Sequence, residues 1–197
     1  MSTRCNSIST FSGILFALFS CFFWMWLPTT FLNLELDRRH ISLTMNGIFF
    51  SAFSAPSIIL GCILGKCSAR CGRRQLMITG FTIGILSSIM LGGLGFVNHD
   101  GFFLIGSIVT RFIQGSGFII MRIMCTPLAI INFPSHLNSI FIVFTFIVSF
   151  AIFVAPVGAA IVSPLGYHWP YFIFSLLFLI IGYPLFICGL PKDVHTV

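Results

Sequence analysis

Arg111 stands inside an apolar stretch, about nine residues into the run Phe102–Met124, or roughly 13 Å deep if that run is helical. A guanidinium at depth in a bilayer costs at least ~2.5–3.5 kcal/mol, so it must face water or a partner. Two roles suit it: an electrostatic or proton-coupling element in an aqueous cavity, or a structural arginine held by hydrogen bonds. Arg122, eleven residues on, shares that face and is close enough to a span end to snorkel. Glu35 is the next candidate. A carboxylate at a span end can replace the lost hydration of a cationic amine or alternate between protonation states. It is followed by Asp37, Arg38 and Arg39, so a solvated loop charge is an equal alternative. Trp24 and Trp26, with Phe22 and Phe23, could line a cavity and meet a cation by cation–π attraction, or pack helices and face lipid. His40, His99, His136, His168 and His195 are scattered, and no nucleophile, metal or cofactor arrangement surrounds them. Enzymatic chemistry is not expected.

The elements that carry these residues are set by composition. Of 197 residues, 57% are hydrophobic and only 7% are charged, against about 25% charge in a soluble domain. Lipid is therefore the solvent. A span takes ~20 apolar residues, and six such runs are read: Phe11–Leu34, Ser42–Leu64, Leu76–Val97, Phe102–Met124 with an extension to Phe133, Asn138–Val162 and Trp169–Leu190. The breaks between them are Glu35–His40, Gly65–Gln75, Asn98–Gly101, Pro134–Leu137 and Ser163–Tyr167. Polar residues do not alternate along the runs, which excludes a transmembrane β-barrel. The net charge of +6 is gathered at span ends rather than along one soluble face, so nucleic acid is not an expected partner. The domain plan is a tail over residues 1–10, a transmembrane domain over 11–190 and a tail over 191–197.

Lys66, Arg70, Arg73 and Arg74 lie between the second and third spans without one acid. Basic residues resist translocation, so this stretch and both termini are expected in the cytoplasm. Seven cysteines are present, most of them in apolar runs or the basic stretch, where they act as small buried hydrophobes. Gly80, Gly84 and Ser88 recur every four residues, a spacing that lets helix backbones approach closely. Pro28, Gln114, Gly115 and Gly158 are expected on a face too polar and too small-residued for lipid, one that needs a partner.

Several of these stretches resemble a known family. Gly65, Arg70, Gly72, Arg73 and Arg74 match the Gly-x-x-x-Asp-Arg-x-Gly-Arg-Arg loop after the second helix of the major facilitator superfamily, with Ala69 in place of the aspartate. Arg111-Phe112-Ile113-Gln114-Gly115-Ser116-Gly117 is similar to its Arg-x-x-Gln-Gly-x-Gly helix-four motif. Pro156 and Gly158 resemble the proline and glycine of the antiporter helix-five motif, although Phe150, Val154 and Ala159 stand where that motif carries glycines. Within the superfamily the resemblance is to the vesicular amine transporters, and to the vesicular polyamine branch. It rests on Phe31–Glu35 with Arg38, Arg39 and Ser42, on Gly47–Phe50, and on Pro156–Gly158 with Gly166, Tyr167, Pro170 and Phe172.

The resemblance covers about Phe11 to Pro191, half of a fold with twelve spans. It implies an all-α membrane domain of six helices in two inverted three-helix repeats, with spans one and four lining a cavity, two and five gating it, and three and six outside. It implies proton-coupled transport of a small organic solute, a cationic amine. Glu35, Arg111, Gln114, Trp24 and Trp26 would be the solute and coupling residues, and Gly65, Arg70, Gly72, Arg73 and Arg74 a gate stretch weakened by Ala69. The implied partners are the lipid bilayer, the solute with protons, and a C-terminal half or a second copy. The membrane could be that of a vesicle or lysosome, or the plasma membrane. The alternative is a non-transporting membrane protein that assists or regulates a full-length relative.

Overall fold

The computed structural model describes residues 2–42 and 44–189, and the side chains of residues 2–8, 30, 66–71, 187 and 188 are outside that description. The tail expected over 191–197 therefore lies outside the described residues. Six long helices are present: α1 Ser2–Arg38, α2 Thr44–Cys71, α3 Arg73–Gly93, α4 Asp100–Asn132, α5 Leu137–Val162 and α6 His168–Gly189. No strand occurs among the described residues. Each of the six is long and apolar enough to cross a bilayer. Only helices and closed barrels satisfy every backbone polar group in hydrocarbon, which is why the apolar runs fold this way. Helix also extends back to Ser2, through most of the stretch expected as a tail.

Two breaks are shorter than expected. The stretch Gly65–Gln75 is not a loop: α2 runs on to Cys71 and α3 starts at Arg73. Lys, Arg, Ser, Cys and Ala all propagate helix, so charge marks a membrane surface there rather than a helix end. The chain turns at Gly72, whose φ of 79° suits a residue without Cβ. At the other end, Glu35 to Arg38 form the last turn of α1, continued by contacts from Glu35 to Arg38 and Arg39. The remaining breaks fall where expected. Leu94–Phe96, Pro134–His136 and Ser163–Leu165 are short 3-10 turns, and Gly166 takes φ 106° after the last.

The helices pack in two layers. α2, α4, α1 and α5 form a row in that order, and α3 and α6 lie behind it, α3 on α4 and α6 on α1. The packing has the symmetry of an inverted repeat: α2 on α4 mirrors α5 on α1, and α3 on α4 mirrors α6 on α1. Small residues set the closest approaches. A Cβ on Gly117 of α4 would meet the Gly80 carbonyl oxygen of α3 at 2.8 Å, and a Cβ on Gly115 would collide with the Phe53 carbonyl of α2. The four-residue spacing of Gly80, Gly84 and Ser88 is used in full: Gly80 meets α4, Gly84 receives the Trp24 ring of α1, and Ser88 accepts a hydrogen bond from Gln114 of α4.

Candidate functional site

α1 ends, and α4 and α6 begin, at one end of the bundle, called here the Arg39 end. A polar cluster is buried there. Arg111, about 16 Å along α4, is 1% exposed. Its Nη1 donates to Gln114 Oε1 at 2.9 Å, and Gln114 Nε2 donates to Ser88 Oγ at 3.3 Å. The guanidinium lies 5.2 Å from the Phe53 ring centroid and 5.8 Å from that of Phe50, both on α2. Two aromatic faces and one amide oxygen offset part of the desolvation of a charge that no carboxylate contacts among the described residues.

Nearer the end of the bundle sits an ion cluster. Arg39 Nε donates to Glu35 Oε1 at 2.7 Å, Arg39 Nη1 donates to Asp100 Oδ1 at 3.3 Å, and Arg38 Nη1 is 4.0 Å from Glu35 Oε2. The Arg39 guanidinium lies 4.3 Å from the Phe103 ring centroid. Arg38 at the C-terminal turn of α1 and Asp100 at the first turn of α4 each complement their helix dipole. The cluster therefore ties the end of α1 to the start of α4.

Tyr167 and Tyr171 complete the site from the α6 side. Their rings are 5.2 Å apart, Tyr167 packs edge-on against Phe103 at 6.0 Å, and Tyr171 against Phe31 at 6.0 Å. Tyr167 lies between the spans, and burial pushes its phenol well up; the Tyr171 hydroxyl, Arg111 and Arg39 oppose the rise while Glu35 adds to it. Ser107 Oγ, Ser175 Oγ and Arg111 Nε are buried without a hydrogen-bond partner.

The structure brings some of the expected residues together and separates others. Arg111 and Gln114 are joined by a hydrogen bond, whereas Glu35 sits in the separate ion cluster with Arg39. Glu35 is not a solvated loop charge; it is 8% exposed and held by Arg39. Trp24 and Trp26 part company, because residues two apart on a helix point about 200° apart. Trp24 is 3% exposed, wedged between Gly84, Phe81 and Phe178, whereas Trp26 is half-buried. Arg122 is exposed although Arg111 is buried, with its guanidinium 5.9 Å from the Phe118 ring centroid. Pro28, Gln114 and Gly115 are buried within the unit, not presented to a partner, because their small or polar faces are used between α1, α2, α3 and α4. Pro156 and Gly158 are half-buried on α5, where a Cβ on Gly158 would meet Phe174 of α6 at 3.0 Å. Of the gate stretch, Gly65 is exposed, and Gly72, Arg73 and Arg74 are half-buried. The Arg70 side chain lies outside the described residues. A surface hollow of about 380 Å³ lined by Pro134–Ser139 lies at the opposite end of α4.

Arg39, Asp100, Ser107 and Tyr171 were not among the expected site residues. Two of them left a signal: Ser107, four residues before Arg111, and Arg39, four after Glu35, each on the same helix face as that residue. In comparison with known proteins, the family model described as Major Facilitator Superfamily matches residues 10–196. No curated protein matches the chain.

Proposed function

Because the chain belongs to the Major Facilitator Superfamily, a family of membrane transporters, we propose that it carries a small organic solute across a bilayer as one six-helix wall of a cavity that a second six-helix unit completes. The observation that supports this reading is Arg111, a desolvated charge retained in the fourth of six spans at the motif position. Such a residue is expensive in a membrane and is expected where function needs it. Proton coupling and a cationic amine solute form the finer part of the proposal. Glu35 is the one buried acid among the described residues, and its contacts with Arg39 and Arg38 can be exchanged for a proton or for an amine. Trp26 and Gln114 are the accompanying solute candidates, and the α2–α3 junction at Gly72 is the cytoplasmic gate.

A second reading, a non-transporting partner of a full-length relative, is favoured by the engagement of Glu35, Arg111 and Trp24 within the unit itself. Flux separates the two. The protein reconstituted in proteoliposomes, alone and with a C-terminal six-helix unit, should accumulate a labelled polyamine when the lumen is acid and lose it when an ionophore collapses the gradient. Absence of gradient-driven uptake with both units present at normal yield would reject transport of amines. Glu35→Gln should abolish the proton dependence, and unchanged dependence would remove Glu35 from coupling.

A further inference from the structure

We propose that the Gly72 end of the bundle is a binding surface for anionic phospholipid headgroups, formed by the basic residues of the α2–α3 junction together with Arg122 of α4.

The first ground is the separation of charge along the bundle. Three of the chain's four acids, Glu35, Asp37 and Asp100, stand at the Arg39 end, in the last turn of α1 and the first turn of α4. There Arg39 contacts Glu35 and Asp100, and Arg38 approaches Glu35. The Gly72 end is the reverse. Lys66 and Arg70 fall in the last two turns of α2, and Arg73 and Arg74 open α3. No acid stands at that end among the described residues. The fourth acid, Asp193, lies outside the described residues and would offset no more than one positive charge.

The second ground is depth. The apolar part of α2 is Thr44–Gly65, 22 residues, and that of α3 begins at Arg73. A helix of that length is about 33 Å long, which fills the hydrocarbon layer. Lys66 and Arg73 therefore fall where hydrocarbon gives way to headgroups. α2 ends at Cys71, only about 9 Å past Gly65. A soluble polyanion would need charges that project clear of the membrane. At this depth the anion that a basic surface meets is a lipid phosphate.

The third ground is register, which brings in a cation remote in sequence. α3 and α4 are antiparallel and meet where a Cβ on Gly117 would lie 2.8 Å from the Gly80 carbonyl oxygen. The same count of residues from that contact toward the Gly72 end reaches Gln75 on α3 and Arg122 on α4. Arg122 is thus level with the first turn of α3. It is exposed, and no carboxylate contacts it among the described residues.

A group of about four to eight Lys and Arg residues at the end of a span draws acidic lipid. Four of the five cations here are arginine, whose planar guanidinium binds phosphate oxygens in pairs. Zwitterionic lipid carries no net charge and gains less. The inference rests on the spans and their charges and not on the transport reading.

Lipid retention tests it. The full-length protein is reconstituted in phosphatidylcholine vesicles with a minor share of phosphatidylglycerol and re-extracted in mild detergent, and the lipid that stays with it is quantified. Phosphatidylglycerol should be enriched severalfold over its share of the vesicle, and less so as salt is raised. Arg73→Gln, Arg74→Gln and Arg122→Gln should each lower the enrichment by up to about fivefold, the weight of one near-surface cation. Lys66 and Arg70 remain in these variants, so insertion keeps its basic signal. Arg38→Gln removes an equal charge at the other end and should leave the enrichment unchanged. Lipid retained in the ratio of the vesicle would overturn the proposal in the parent protein alone. So would an equal loss in Arg38→Gln, which would assign the effect to net charge rather than to one end. Inorganic phosphate, compared with chloride at equal ionic strength, should not displace the lipid, and full displacement would assign the surface to a soluble anion instead. None of these outcomes bears on solute flux, so the two proposals fail separately.

Discussion

Gly115 is the position at which a single methyl group should matter most. A Cβ there would strike the Phe53 backbone carbonyl, and backbone cannot swing aside as a flexible side chain can. Gly115→Ala should therefore separate α2 from α4 at a cost of ~1–3 kcal/mol, the usual range for overpacking. Gly61→Ala is the control, since nothing lies within 4 Å of a Cβ there. Thermal midpoints in detergent should fall for the first and hold for the second. The tryptophans offer a parallel contrast. Trp24 fills the space left by Gly84, so Trp24→Ala should cost ~3–5 kcal/mol, the scale of a deleted core aromatic. Trp26 is half-buried, and Trp26→Ala should cost clearly less while still altering solute affinity if this side chain meets the solute.

At the scale of the element, α1 is joined to its neighbours at both ends by polar contacts. Thr10 Oγ1 donates to the Gly189 carbonyl of α6 at 2.9 Å, and Arg39 links Glu35 to Asp100 of α4 at the far end. Arg39→Leu removes the bridge and leaves Glu35 with only the exposed Arg38, 4.0 Å away. Hydrogen exchange should then quicken over residues 36–42 and 97–103 while the middle of α1 stays protected. Uniform exchange in variant and parent would show that the ion cluster does not hold the helix ends. The α2–α3 junction depends on one residue. Gly72→Ala forces a Cβ into a positive-φ conformation outside the left-handed helical region, at about 1–3 kcal/mol. The expected result is a changed angle between the two helices, read as altered accessibility of cysteines placed at Arg73 and Gln75.

For the whole molecule, the two-layer packing leaves α2 and α5 at the outside of the row, and both are largely uncovered within the unit. Exposed Ile58, Ile142, Phe146 and Phe153 on these helices suit lipid as well as another protein surface. The proposed second six-helix unit would cover part of them. Cysteines at Ile58 and Ile142 should then crosslink to that unit when the two are co-produced, while cysteines at Leu86 of α3 and Ile180 of α6 should not. Equal crosslinking at all four sites would reject a defined second half. The proposed orientation is tested separately: impermeant reagent should reach the Gly72 end only from the cytoplasmic side, as the basic run requires.

The number and length of the spans were legible in the chain itself, because a ~30 Å hydrocarbon layer fixes how long an apolar run must be. The depth of Arg111 followed from counting residues, and the close-packing face of α3 from the spacing of Gly80, Gly84 and Ser88. Turns at Pro134 and Gly166 were legible from residue type. Which neighbour each face meets was not. In water, polarity shows which side of a helix is out; in lipid both sides are apolar, so sequence pattern carries little of that information. Trp24 and Trp26 therefore looked alike until Gly84 was seen to receive only one of them. The partner of Glu35 depended on helix continuing through Arg38 and on Asp100, distant in sequence, arriving beside Arg39. Gln114 met Ser88 only because α3 and α4 pack face to face, a relation between helices that neither helix encodes alone.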